Sequence, residues 1–100
     1  MELTIRADEA EAADSLRSAL EVAGDFELSE VEEAAFGVVA GAGDAPALAA
    51  ALSLWLQHQP PGSELTVETS TQVLTAHAGD PRAAIALTEA VIREGRTAEQ

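Results

Sequence analysis

One hundred residues suit a single domain, long enough to bury roughly 60–70% of its unfolded surface around one modest core. The chain has no cysteine, which excludes disulfides, thiolate metal sites and a cysteine nucleophile. Eighteen carboxylates stand against five arginines and no lysine, and the formal charge of −13 argues against nucleic acid and anionic membrane surfaces, which need clustered cations.

Twenty-two of the apolar residues are alanine, which favours helix but adds little buried area. Leucine, valine, isoleucine, two phenylalanines and Trp55 must therefore supply most of the hydrophobic stabilisation. The carboxylates serve solubility, and they also offer an acidic surface to a basic partner. The opening Met-Glu-Leu-Thr-Ile-Arg lacks the basic region and apolar run of a secretory signal, so a cytoplasmic protein is expected.

Residues 2–6 alternate polar and apolar, with Leu3 and Ile5 inward, and read as a strand. Asp8 and Glu11 form an acidic variant of the capping box that opens a helix. Ala13, Leu16, Leu20 and Ala23 make its buried stripe, and Gly24 ends it. Its outer carboxylates form no chelating loop, so no metal is expected there. Residues 25–28 suit a second short strand. For the next stretch two readings compete. Ser29 with Glu32 matches a capping box, and Val31, Ala34, Ala35 and Val38 keep the helical period up to Gly41. Residues 35–40 also read as a buried strand; the helix is preferred.

Residues 41–44 are glycine-rich but lack both the P-loop spacing and its lysine, so a plain turn is expected. Residues 44–58 then form the helix around which the chain is organised. Asp44 is placed to cap it, Pro46 fits its first turn, and Pro60-Pro61-Gly62 follows its end. Leu48, Leu52, Trp55 and Leu56 share one stripe, while Ala49, Ala50 and Leu54 lie away from it, where a surface helix would carry charge. Such a helix is covered on both sides, by its own domain, a partner or lipid. Residues 36–56 are long enough to span a bilayer. Burying Asp44 there would cost roughly 2.5–3.5 kcal/mol, and no lysine or arginine flanks the run, so insertion is the lesser reading.

Residues 64–69 and 72–77 form two strands that pair as a hairpin, although no Asn-Gly or Asp-Gly marks the turn. Asp80-Pro81 opens the last helix, with Ala84, Ile85, Leu87, Thr88, Val91 and Ile92 as its apolar face and Gly95 as its stop. Residues 1–95 thus make one small domain, with residues 96–100 a frayed tail. No catalytic, cofactor or metal constellation emerges. His58 suits the negative end of a helix, His77 ends a strand, and the serines fit caps, turns and helix surfaces.

The run Ala47-Leu-Ala-Ala-Ala-Leu-Ser-Leu-Trp-Leu56, the strand Glu64-Leu-Thr-Val-Glu68 and the Asp80-Pro81 helix together resemble the first type of the bacterial effector-associated constant component family. The opening strand and the glycine-bearing segment 38–43 also fit. The chain departs from that family in the short segment between Leu28 and Phe36 and in the hairpin turn. The resemblance implies a small α/β protein encoded beside peptidase- or NTPase-type effectors in bacterial conflict systems, acting as a non-enzymatic accessory component without cofactor. The lack of lysine, with arginine in its place, and the wealth of alanine suit an actinobacterial genome.

The expected fold is α/β (α+β), a two-layer sandwich with a small mixed or antiparallel sheet and helices on one face. Its expected core is Leu3, Ile5, Leu16, Leu20, Leu48, Leu52, Trp55, Leu56, Leu65, Val67, Leu87, Val91 and Ile92. The expected function is an adaptor that binds an effector protein through Ala50, Leu54 and Gln57, with Glu30 and Glu33 on an acidic rim. A homodimer through the same surface, and a membrane-associated accessory using residues 36–56, are the alternatives. A helix over residues 30–40, folded back, would cover that surface.

Overall fold

The alternation of residues 2–6 becomes β1 (Glu2–Ala7), which buries Leu3, Ile5 and Ala7 on one side. This strand is the centre of a five-stranded sheet in a computed structural model that describes residues 1–99. The other elements are α1 (Ala10–Ala23), β2 (Glu27–Glu32), β3 (Ala35–Val39), a 3-10 turn (Ala42–Asp44), α2 (Ala45–Gln57), β4 (Glu64–Glu68), β5 (Val73–His77) and α3 (Ala83–Glu99). Strand order is β2-β3-β1-β4-β5, and every neighbouring pair is antiparallel. The fold is thus α+β. Each of α1 and α2 returns the chain past one intervening strand, giving two interleaved split β-α-β units as in ferredoxin-like folds. β5 and α3 extend them.

Register places Leu3, Ile5, Phe36, Val38, Leu65 and Val67 on one face, while Val39 and Val73 fall on the other. Ile5 lies opposite Phe36 on one side and Val67 on the other, and Leu3 lies opposite Val38. Against this face pack Leu16 and Leu20 of α1, Leu48, Leu52 and Leu56 of α2, and Leu87 and Val91 of α3, all within one buried cluster. Burying each such side chain contributes about 1.5–3 kcal/mol. The expected core is buried except Ile92, which is only half-buried, while Ile85 is exposed.

α2 is the middle helix of three, which explains why it is apolar nearly all round. Toward α1, Trp55 Nε1 donates a hydrogen bond to Ser15 Oγ (3.3 Å). Toward α3, Ser53 Oγ lies 3.0 Å from Thr88 Oγ1 and donates to the Ala84 carbonyl at 3.4 Å. Its own domain covers both flanks. The apolar run of residues 36–56 is divided between β3 and α2, and among the described residues no helix is long and apolar enough to cross a membrane.

Residues 29–40 correct the preferred reading. They form the β2–β3 hairpin and not a helix, so nothing from this segment folds over α2. Ser29 is a strand residue, and a bulge between Glu30 and Glu32 takes up the register. The short apolar run satisfies its backbone by pairing with β1, which buries Phe36 and Val38 together. The hairpin of β4 and β5 forms as expected, but by a different turn chemistry. Thr69 N–H donates to the Gln72 carbonyl (2.8 Å), and Thr69 Oγ1 accepts from the N–H groups of Gln72 (3.1 Å) and Thr71 (3.3 Å).

The helix ends also differ from expectation. Glu9, not Asp8, precedes α1, and no side-chain cap forms there; Ala23 is exposed. Asp44 has helical backbone angles because the 3-10 turn runs directly into α2, so its side chain caps nothing. Asp80 closes the turn that leads into α3, its Oδ1 accepting from Arg82 N–H at 2.9 Å. Gly95 does not stop α3, which continues to Glu99, so residues 96–99 are helical; the rest of the expected tail, Gln100, lies outside the described residues. A Cβ on Gly95 would stand 2.6 Å from Ala45 Cβ and 3.3 Å from the Ala42 carbonyl. Glycine is there to let α3 cross the start of α2. Gly62, with φ of +97°, follows Pro61 in a turn closed by Ser63 N–H to the Pro60 carbonyl (3.2 Å), the position where that turn needs glycine.

Candidate protein-binding surface

Ala50, Leu54 and Gln57 recur at helical spacing on α2, and all three face solvent. Leu54 is 58% exposed, on a helix otherwise packed on two flanks. It borders an open hollow of about 330 Å³ lined by Ala19 and Ala23 of α1 and by Ala51, Leu54, Trp55 and His58. Small side chains on α1 make this hollow, because alanine leaves the space that leucine would fill. At its end His58 Nδ1 lies 2.8 Å from the Leu54 carbonyl. A carbonyl only accepts, so Nδ1 carries the proton and the ring ties off the last turn of α2.

Gln57 lies toward the other side, bordering a depression with Gly79, Asp80, Pro81 and Ala84. Glu30 and Glu33 are not brought to Leu54. They border a separate hollow with Asp14, Arg17 and Phe36, on the β2 side of α1. Asp8, Glu9 and Glu11 instead line a larger hollow of about 540 Å³ with Ser15 and residues 59–63. The Ser15–Trp55 hydrogen bond joins the two hollows. The pattern was available in α1, where Glu11, Ser15, Ala19 and Ala23 repeat every four residues along one line.

The opposite face of the sheet carries no helix and is mostly polar, with Val39 and Val73 exposed among its polar side chains. Arg6, on the central strand, donates to Glu32 Oε2 at 2.6 Å across the intervening β3. The Glu32 hydrogen bond, and then its charge, raise the Arg6 pKa above its ordinary value. Thr66 and Thr75 pair at 3.2 Å between their hydroxyl oxygens, and His77 Nδ1 stands 3.6 Å from Glu64. His58 and His77 do not share a site. Among the described residues, no three acidic, histidine or cysteine side chains gather so as to hold a metal ion.

No family model, no curated protein and no solved structure matches the chain. What the fold defines is a class: a small α+β domain with a three-helix layer over one face of an antiparallel sheet.

Proposed function

We propose that this protein is a non-enzymatic adaptor that docks onto an effector protein of the peptidase or NTPase type in a bacterial conflict system, and that it works in the cytoplasm. The observation that carries the docking role is Leu54, exposed beside a hollow floored by Ala19, Ala51 and Trp55. A partner's apolar side chain entering there would gain area at little entropic cost, because α1 and α2 are already packed. The carboxylates of Asp8, Glu9 and Glu11 adjoin it and suit a partner with basic residues beside its apolar anchor, which speeds encounter more than it tightens binding. The class of effector rests on the resemblance to the effector-associated constant component family, carried by the α2 segment, β4 and the Asp80-Pro81 start of α3.

The test is Leu54→Asp. With its side chain largely in water, this change is expected to alter stability by no more than about 0.5 kcal/mol. Binding to the effector encoded beside the gene, measured by pull-down and calorimetry, should weaken at least about tenfold, the effect of losing a central apolar contact worth ~1.4 kcal/mol or more. Unchanged binding by a folded Leu54→Asp protein would remove this surface from the proposal.

A further inference from the structure

The two edges of the sheet are built differently. β2 carries Glu27, Glu30 and Glu32, is followed by Glu33, and has a bulge, all devices that discourage another strand from pairing. β5, Val73-Leu74-Thr75-Ala76-His77, has no acidic side chain, no lysine, no proline and no bulge. Its ladder to β4 is bracketed by Thr69 N–H to the Gln72 carbonyl and Ala78 N–H to the Ser63 carbonyl, both 2.8 Å. Bonded pairs alternate along an antiparallel ladder. Val67–Leu74 and Leu65–Ala76 are therefore the bonded pairs, and the main-chain groups of Val73, Thr75 and His77 point away from β4. Of these, the His77 carbonyl accepts from Asp80 N–H at 3.3 Å. The side chains of the same three residues are exposed, Val73 by 66%.

We infer that β5 pairs with β5 of a second copy of this chain, antiparallel about a two-fold axis at Thr75, joining two sheets into one. Of the two sheet edges, the charge distribution leaves β5 as the one where a second copy meets the least repulsion. From Asp8 to Glu33 ten carboxylates accompany one arginine, a net of −9 on the α1 and β2 side. From Asp80 to Glu99 four carboxylates accompany three arginines, a net of −1, and β5 has no carboxylate or arginine. Two copies meeting at β5 thus keep their strongly acidic sides apart. The nearest open-face carboxylates, Glu64 and Glu68, sit one strand in, so across the joint they are separated by roughly three strand spacings, about 14 Å. That exceeds the screening length of about 8 Å at physiological salt.

The register is self-complementary. Thr75 faces Thr75, a favourable cross-strand pair, while Leu74 faces Ala76 and Val73 faces His77. The outward main-chain groups supply up to about six inter-chain hydrogen bonds. Because the rest of each molecule is acidic, the association strengthens as salt rises, the reverse of a dimer held by ion pairs.

Analytical ultracentrifugation of the full chain across concentration and salt tests this, with amide exchange at Val73, Thr75 and His77. A dimer that tightens with salt, with protection of those three amides growing with protein concentration, is expected. Thr75→Lys, which puts two like charges across the axis, should raise the dissociation constant roughly fivefold or more. Thr75 is exposed and its N–H points away from β4, so the folded monomer tolerates the change; circular dichroism verifies this. Leu54→Asp should leave the dimer intact, which separates this interface from the effector-docking surface. A wild-type chain that stays monomeric throughout overturns the inference, as does a dimer abolished by Leu54→Asp but indifferent to Thr75→Lys. If the three amides gain protection only on adding another protein, β5 serves a foreign strand and the inference is again overturned.

Discussion

α2 and the β2–β3 hairpin start from similar material and end as opposites. In each, a residue suited to cap a helix, Asp44 or Ser29, precedes apolar side chains at the helical period, and in neither does that residue cap. α2 keeps its period over thirteen residues and becomes the middle helix of its layer. The run containing Phe36 offers only five apolar-strand residues, and β1 claims them by pairing. A long periodic signal survives tertiary context; a short one is decided by whichever neighbour can satisfy its backbone.

Alanine substitution turns this contrast into a measurement. On a strand, Phe36 is buried and Val31 exposed, whereas a helix over residues 30–40 would bury Val31 and turn Phe36 outward. Phe36→Ala should cost about 3–5 kcal/mol in a urea titration followed by Trp55 emission. Val31→Ala should cost less than about 0.5 kcal/mol. The reverse ranking would restore the helix. For α2, Leu52→Ala should cost about 2–5 kcal/mol, because Leu52 is fully buried between the sheet and its flanking helices. A loss within the error of the titration would take Leu52 out of the core.

A smaller effect probes where α3 crosses α2. In a solvent-facing helix position, glycine to alanine stabilises by about 0.8–1 kcal/mol. At Gly95 the added Cβ meets Ala45 Cβ, which is fixed to the backbone and cannot swing aside. Overpacking of about 1–3 kcal/mol should outweigh the gain, so Gly95→Ala is expected to destabilise by roughly 1 kcal/mol. A stabilised variant would mean that the two helices lie farther apart.

Much of the architecture could be read from residue order. The alternation in β1 and β4, the period of α1 and α2, the Asp80-Pro81 start and all but Ile92 of the expected core were local signals, carried by side chains whose spacing matches one element's repeat. The proposed docking surface was half legible. Leu54 stood out as an apolar residue off the buried stripe, but Ala19, Ala23 and Glu11 lie on another helix, and Glu30 and Glu33 were placed on a helix that does not form.

Residue order alone sets which residues are apolar, how regularly they recur, and that α2 is covered on both flanks. What covers it depends on the folded chain. It chose α1 and α3 over a partner or lipid, turned residues 29–40 into a hairpin, and made Gly95 a crossing point in place of a stop. The reason is the range of the interactions. Periodicity reports the face an element will bury, within a few residues of chain, whereas pairing partners and helix crossings depend on contacts between residues far apart in sequence, such as Gly95 with Ala45 and Phe36 with Ile5.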